Sequence, residues 1–185
     1  MSITSYKRNC GKSAAGNAPG LYIGLYPEVK TSATFSVVDG ADQISTLVMT
    51  NFKRVQTDFD SILYNAEPEA NRRSYINMQT MELKISGKRT ETEKLLFEIE
   101  KAIPCNLVLI RSDKNGKFWL SGLAPATALG NRAWSRYTEN FTTGESITDI
   151  DEGNSYTITL ERDSVTPEYE ITDEAAIAIL RNLNA

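Results

Sequence analysis

Residues 11–13, Gly-Lys-Ser, are the triplet with which many ATP-binding loops end. Such a loop needs another glycine five residues before the first glycine of the triplet, so that successive backbone N–H groups surround the phosphates, and it joins a buried strand to a helix. Here Tyr6 occupies that position, and Pro19 prevents the following residues from continuing as a helix. The triplet therefore does not indicate a nucleotide site.

The other residues that could perform chemistry do not form a complete motif. Segment 149–154, Asp-Ile-Asp-Glu-Gly-Asn, begins like a calcium loop, but the positions that require glycine and a bidentate glutamate hold Asn154 and Leu160. The chain has no histidine, which is the commonest acid–base catalyst and a common metal ligand. We therefore expect a protein that is not an enzyme and that holds no metal or cofactor.

Length and composition are typical of one globular domain. The 185 residues suffice for a single core, and no apolar run approaches the roughly 18 residues of a membrane span. The N-terminus lacks the apolar segment of a secretion signal, so we expect synthesis in a cytoplasm, with Cys10 and Cys105 as free thiols. Acidic residues concentrate between 149 and 174, which suits head-to-tail contact between copies, although solvated faces also produce such an asymmetry.

Most of the chain is predicted to be strand. Short segments rich in β-branched and aromatic residues alternate with Pro, Gly and Asp turns, and they lie at 21–26, 33–38, 43–49, 75–87, 105–111 and 155–162. Segments 75–87 and 155–162 alternate apolar and polar residues, as half-buried antiparallel strands do. Asn115-Gly116 predicts a hairpin with a type I′ turn. The predicted fold class is mainly β, an antiparallel β-sandwich or barrel with a packed helix.

Two helices are predicted beside these strands. Thr90 and Glu93 form a capping box, and apolar residues at helical spacing follow until Pro104, which predicts a helix over about 90–103. Thr172 is the predicted cap of a C-terminal helix over about 173–183. The second helix needs an apolar surface to cover, on its own sheet or on a neighbouring copy.

Two polar segments are candidates for contacts between copies. Residues 1–20 lack periodicity and are predicted to be an extended arm of a single domain that spans 21–185. Residues 60–74 are predicted to be a long loop of that domain. The proposed contact residues in these segments are Lys7, Arg8, Lys12, Arg72 and Arg73.

This order of elements resembles the tail tube proteins of long-tailed bacteriophages, which are related in fold to the tube protein of type VI secretion. The resemblance rests on the strands, the capped helix at Thr-Glu-Thr-Glu-Lys-Leu-Leu (90–96), the hairpin at 105–122, the late strand at 155–162 and the C-terminal element, and the start at 16–29 is also similar. It implies a structural virion protein, assembled in the host cytoplasm into rings, usually hexameric. Stacked rings would then form a channel that conducts genomic DNA without binding it specifically, with other tail or connector proteins as partners and no membrane.

Two alternatives remain open at this point. The chain could form a single ring as a tail completion or adaptor protein at the head–tail junction. It could instead be a monomeric β-sandwich that binds a ligand on exposed aromatic residues, for which Trp119, Trp134 and Tyr137 are candidates, although core positions would explain these aromatics equally.

Deleting residues 1–20 is expected to abolish the stacking of rings while the β-fold is retained, because the arm has no apolar pattern of its own to fold around. Negative-stain microscopy would measure stacking, and circular dichroism would measure the fold. Normal polymerisation of the truncated protein would contradict the assignment of this arm.

Overall fold

A computed structural model describes residues 20–39, 41–56, 62–71, 74–86, 90–113, 115–125, 133–142, 155–164 and 168–182. The strands are β1 (Gly20–Leu25), β2 (Ala33–Val38), β3 (Ala41–Leu47), β4 (Lys53–Gln56), β5 (Ile62–Asn71), β6 (Ser74–Ser86), β7 (Leu107–Ser112), β8 (Phe118–Ser121), β9 (Arg136–Thr142), β10 (Ser155–Ser164) and β11 (Tyr169–Glu170). The helices are α1 (Tyr26–Val29), α2 (Thr90–Ala102) and α3 (Glu174–Asn182), and a short 3-10 turn (Ile103–Cys105) follows α2. The mainly antiparallel β fold predicted from the sequence is confirmed.

A five-stranded central sheet, in the order β11-β8-β7-β1-β4, is buried on both faces. In β1, Leu21 and Ile23 enter one apolar core and Tyr22 enters another, and in β7 the neighbours Val108 and Leu109 are divided in the same way. Antiparallel sheets commonly keep one face in water. Here both faces are covered, which explains why β1 and β7 read as continuous apolar runs.

The first core lies between the central sheet and a four-stranded sheet, in the order β5-β6-β10-β9. Alternate residues of β6 and β10, such as Met81, Leu83 and Ile158, point into this core. Helix α2 contributes its apolar stripe to the same core through Leu95 and Ile99. The predicted helix at 90–103 is confirmed, and Pro104 lies in the 3-10 turn that follows it.

The second core lies on the opposite face of the central sheet, under the β2–β3 hairpin and α3. Ile44 of β3 and Leu180 of α3 are fully buried there. The Tyr22 hydroxyl donates a hydrogen bond of 3.0 Å to the Leu180 carbonyl, which gives a partner to a backbone acceptor in the last turn of α3. Helix α3 therefore covers its own sheet.

The prediction of a long loop at 60–74 is wrong for residues 62–71. These residues form β5, which pairs along its whole length with β6, from Ile62 opposite Leu83 to Asn71 opposite Ser74. Pairing with a long partner strand overrides the polar composition, because the outward positions of β5 need no apolar side chain. Residues 1–19 of the predicted arm lie outside the described residues, and Gly20 already belongs to β1.

The hairpin at Asn115-Gly116 forms, but the turn differs from the type I′ prediction. Gly116 has φ +76°, whereas Asn115 does not have the positive φ that a type I′ turn requires. The Gly116 N–H donates to the Asp113 carbonyl at 3.1 Å, and the Asp113 N–H donates to the Lys117 carbonyl at 2.8 Å. The connection is therefore longer than a two-residue type I′ turn, and one glycine in it has left-handed backbone angles. The Asp113 carboxylate stabilises it by accepting hydrogen bonds from the N–H groups of Asn115 and Lys117.

The predicted helix over 173–183 is confirmed as α3, but its cap is Asp173 and not Thr172. Asp173 Oδ1 accepts the N–H groups of Ala175 at 3.0 Å and Ala176 at 3.3 Å. The Thr172 hydroxyl donates to the Ile44 carbonyl at 3.0 Å instead. Asp173 Oδ2 also accepts the Leu47 N–H at 2.8 Å, so one carboxylate joins α3 to the hairpin.

Replacing Asp173 by alanine is expected to lower the free energy of unfolding by about 2 kcal/mol, because both the helix cap and the acceptor for the Leu47 N–H are lost. Asp42→Ala, which removes an exposed carboxylate from the same hairpin, is the matched control and should change stability by less than about 0.5 kcal/mol. Urea denaturation of both variants would measure the difference. Equal stabilities would show that Asp173 does not join the two elements.

Candidate assembly surface

The four-stranded sheet presents a polar face to solvent on the side away from the first core. Its strands alternate, so that buried residues of β10 such as Ile158 and Leu160 are separated by the more exposed Thr157, Thr159 and Glu161. The register places Thr159 between Glu82 of β6 and Thr138 of β9. The outward residues of β6, β9 and β10 with described side chains are Met78, Thr80, Glu82, Lys84, Arg136, Thr138, Thr157, Thr159, Glu161 and Asp163.

An ion-pair network crosses this face from β9 to β10. Arg136 Nη1 and Nη2 donate to the two carboxylate oxygens of Asp163 at 2.9 and 2.8 Å, and Arg136 Nε donates to Glu161 at 3.2 Å. The hydrogen bond from Arg136 holds the pKa of Asp163 below its usual value. The pairs are exposed and screened by water, so they orient the side chains more than they stabilise the fold.

Both edges of this sheet are candidates for pairing with another chain. Among the described residues, β5 pairs only with β6, and β9 pairs only with β10. A strand at the edge of a sheet carries a row of N–H and C=O groups that can accept a further strand. On edge strand β5, Leu63 is 62% exposed.

A buried arginine fixes the four-stranded sheet to the structure behind it. The side chain of Arg162, on β10, is fully buried, and its Nε donates a hydrogen bond of 2.6 Å to Oε1 of the equally buried Gln79 on β6. The Arg162 guanidinium lies 5.2 Å from the centre of the Trp134 ring, in the range of a cation–π contact. Burial lowers the pKa of Arg162 to about 10, so the group remains a cation at neutral pH.

A second arginine reaches the same cluster from the central sheet. Arg111 of β7 donates to both carboxylate oxygens of Glu168, with Nε 3.0 Å from each, and its guanidinium lies 4.7 Å from the centre of the Tyr64 ring. Tyr64 belongs to β5 and also contacts Arg162 through its hydroxyl. Burial, reinforced by the negative charge of Glu168, raises the pKa of Tyr64 to about 12. We call these five residues, Tyr64, Gln79, Arg111, Arg162 and Glu168, the inter-sheet clamp.

Trp134 closes the clamp on its inner side. It is fully buried, its indole N–H donates to the Ser121 hydroxyl at 3.0 Å, and its backbone pairs with Leu107. Trp119 is partly buried, and its indole N–H donates to Asp113 at 3.0 Å. Trp134 therefore cannot belong to an exposed aromatic platform for a ligand.

The contact residues proposed from the sequence lie outside the described residues. Lys7, Arg8 and Lys12 precede β1, and Arg72 and Arg73 connect β5 to β6, whose pairing ends at Asn71 and Ser74. The calcium-like segment 149–154 also lies outside them. Within the described residues, Cys105 is a free thiol, and no group of three potential metal ligands occurs.

The sequence did contain a signal for the clamp. Alternation along β10 continues past Leu160, so Arg162 and Ser164 fall on the same inward face as Ile158. The partners of Arg162 come from β5, from β6, from Trp134 before β9 and from Glu168 before β11, and only the folded topology brings those positions together.

No described helix is long and apolar enough to cross a membrane. The chain matches no protein-family model, no curated protein and no solved structure.

Replacing Glu168 by glutamine is expected to lower the free energy of unfolding by about 3 kcal/mol, because Arg111 and Arg162 then share a buried site without an anion. Glu170→Gln is the matched control, since Glu170 lies two residues away and pairs with the exposed Lys117 at 2.8 Å. Urea denaturation followed by tryptophan fluorescence would measure both variants. If the two losses were equal, the clamp would have no special role in stability.

Proposed function

We propose that this chain is a tail tube subunit of a long-tailed bacteriophage, which assembles into stacked rings around a channel for DNA. The observation that carries the proposal is the four-stranded sheet, in which β5 and β9 are edge strands within the described part of the chain and the solvent face is polar. Joining such sheets edge to edge around a ring would remove the exposed edges and enclose a polar channel. The resemblance in the order of elements suggests six subunits.

The number of strands suits closure of a ring. The strands in the order β5-β6-β10-β9 are antiparallel throughout, so the two edge strands of one copy run in opposite directions. Copies related by rotation about a ring axis have the same orientation, so β9 of one copy would lie antiparallel to β5 of the next. Each ring contact would therefore continue the antiparallel pattern without a break.

The charges of the solvent face suit a channel that conducts DNA. Among the outward side chains of β6, β9 and β10 that the structure describes, three are carboxylates, on Glu82, Glu161 and Asp163, and two are cations, on Lys84 and Arg136. Tight binding of DNA requires several lysine or arginine contacts to phosphates, with release of counterions. A wall with a small excess of negative charge and many threonines would let the phosphates pass without holding them.

The clamp supports the proposal by giving the sheet a fixed backing. Arg162 and Gln79 belong to the proposed channel wall, while Arg111 belongs to the central sheet behind it. A wall assembled from several copies needs the same curvature in each copy. A small change in the angle between the four-stranded sheet and the central sheet of each copy would accumulate around the ring. Residues held by buried hydrogen bonds keep that angle constant.

Leu63→Lys is expected to prevent ring formation, because it places a lysine on the edge strand that pairs with the next copy. The monomer should stay folded, since the Leu63 side chain is mostly exposed. Val48→Lys is the matched control, because Val48 is 52% exposed but follows β3 and lies outside the four-stranded sheet. Negative-stain microscopy of concentrated wild-type protein and both variants would measure assembly.

Long tubes from the wild type and the control, with none from Leu63→Lys, would support the tube. Single rings at every concentration would favour a tail completion or adaptor protein. A wild-type protein that remains monomeric at high concentration would overturn the proposal.

A further inference from the structure

The tip of the β2–β3 hairpin exposes two valines on opposite faces. The side chains of Val37 and Val38 are 69% and 43% exposed, and consecutive residues of a strand point to opposite sides. Val37 pairs with Asp42, and Val38 pairs with Ala41. The tip therefore carries apolar surface on both sides together with the carboxylates of Asp39 and Asp42.

The chain's own second core covers only the base of this hairpin. Ile44 and Leu47 are buried in that core, and the Phe35 ring lies 5.1 Å from the Tyr169 ring. Residues 37–39 and 41–42 are all exposed. Isolated exposed apolar residues are common on proteins, but an apolar tip on a projecting hairpin suits insertion against a partner.

Helix α2 carries a surface of complementary character, which we call the α2 crest: Lys94, Phe97 and Lys101. These residues lie at helical spacing on the side opposite the buried Leu95 and Ile99. Phe97 is 52% exposed, and Lys101 Nζ lies 3.8 Å from the centre of its ring. The crest therefore combines one exposed aromatic ring with two exposed lysines.

The tip and the crest face different layers of the fold. The hairpin covers the second core, whereas α2 contributes to the first core, on the other face of the central sheet. A contact between tip and crest therefore joins two copies. It is head to tail, because each copy contributes a different surface, and such contacts propagate along a stack.

We propose that the β2–β3 tip of one copy docks on the α2 crest of the next. Val37, which shares one side of the hairpin with its pairing partner Asp42, would cover the Phe97 ring. Asp39 and Asp42 would approach Lys94 and Lys101. The proposal extends the self-assembly proposed above, but it does not depend on a place in a phage tail.

Charge favours the crest over a second tip as the surface that the tip contacts. Two tips facing each other would bring four carboxylates together, which is unfavourable. Glutamates also flank the crest on both sides of α2, at positions 91, 93, 98 and 100, and they would confine an acidic tip to the crest itself.

Two charge-reversed variants of the full chain test the contact: D39K/D42K, reversed at the tip, and K94E/K101E, reversed at the crest. Each variant alone has like charges at tip and crest, so we expect its self-association to weaken by at least about tenfold. An equimolar mixture restores opposite charges in both pairings, so we expect association to return. Sedimentation velocity would measure association, circular dichroism would confirm folding, and Lys30→Glu, at an exposed lysine outside both surfaces, is the control.

Loss in each variant and recovery in the mixture would support the contact, even if microscopy showed no tubes, in which case the proposed function alone would fail. Wild-type tubes that persist unchanged in both variants would overturn the contact and leave the tube. A mixture that associates no better than its components, or a wild type that is monomeric at every concentration, would also overturn the contact.

Discussion

Burial of the Arg162 cation is the constraint on which the arrangement of the two large sheets depends. Removing a charged group from water costs several kcal/mol, and the cost is offset only when its partners are held in place. Gln79 and the Trp134 ring meet this need on one side, and Tyr64 and the carboxylate of Glu168 meet it on the other. A shift of the four-stranded sheet against the central sheet would separate the cation from the Trp134 ring and from Glu168, which lie outside the four-stranded sheet.

The central sheet adds a second constraint, because it has no face that can remain in water. The first core needs the four-stranded sheet and α2, and the second needs the β2–β3 hairpin and α3. The β2–β3 hairpin, α2 and α3 are therefore needed to keep both faces of the central sheet out of water. Asp173 illustrates how closely they are joined, since its two carboxylate oxygens bind the start of α3 and the end of β3.

The elements predicted correctly are those with a strong local pattern. Alternation in β6 and β10 and the apolar stripe of α2 depend only on neighbouring residues, and they were predicted within a few positions. Strand β5 was not predicted, because its polar composition is typical of a loop and only its pairing with β6 shows that it is a strand. Thr172 and Asp173 are both good helix caps, and the choice between them depends on the distant Ile44 carbonyl, which binds the threonine.

The candidate surface was less accessible to prediction than the fold. An alternating strand indicates which residues face outward, but it does not reveal which strands lie at an edge of the sheet. Arg162 falls on the inward face of its strand, yet a charged residue is not expected in a core unless its partners are known. Those partners come from four other parts of the chain, so only the complete topology unites them.

The division of β1 and β7 between two cores has a consequence for how the domain unfolds. Each core loses part of its wall if either strand leaves the central sheet, so neither half can melt while the other persists. Two apolar cores would otherwise behave as separate cooperative units. Because they share these strands, the domain should lose its structure in one transition, and the backbone amides of Leu21 to Ile23 should exchange with solvent only when the whole domain opens.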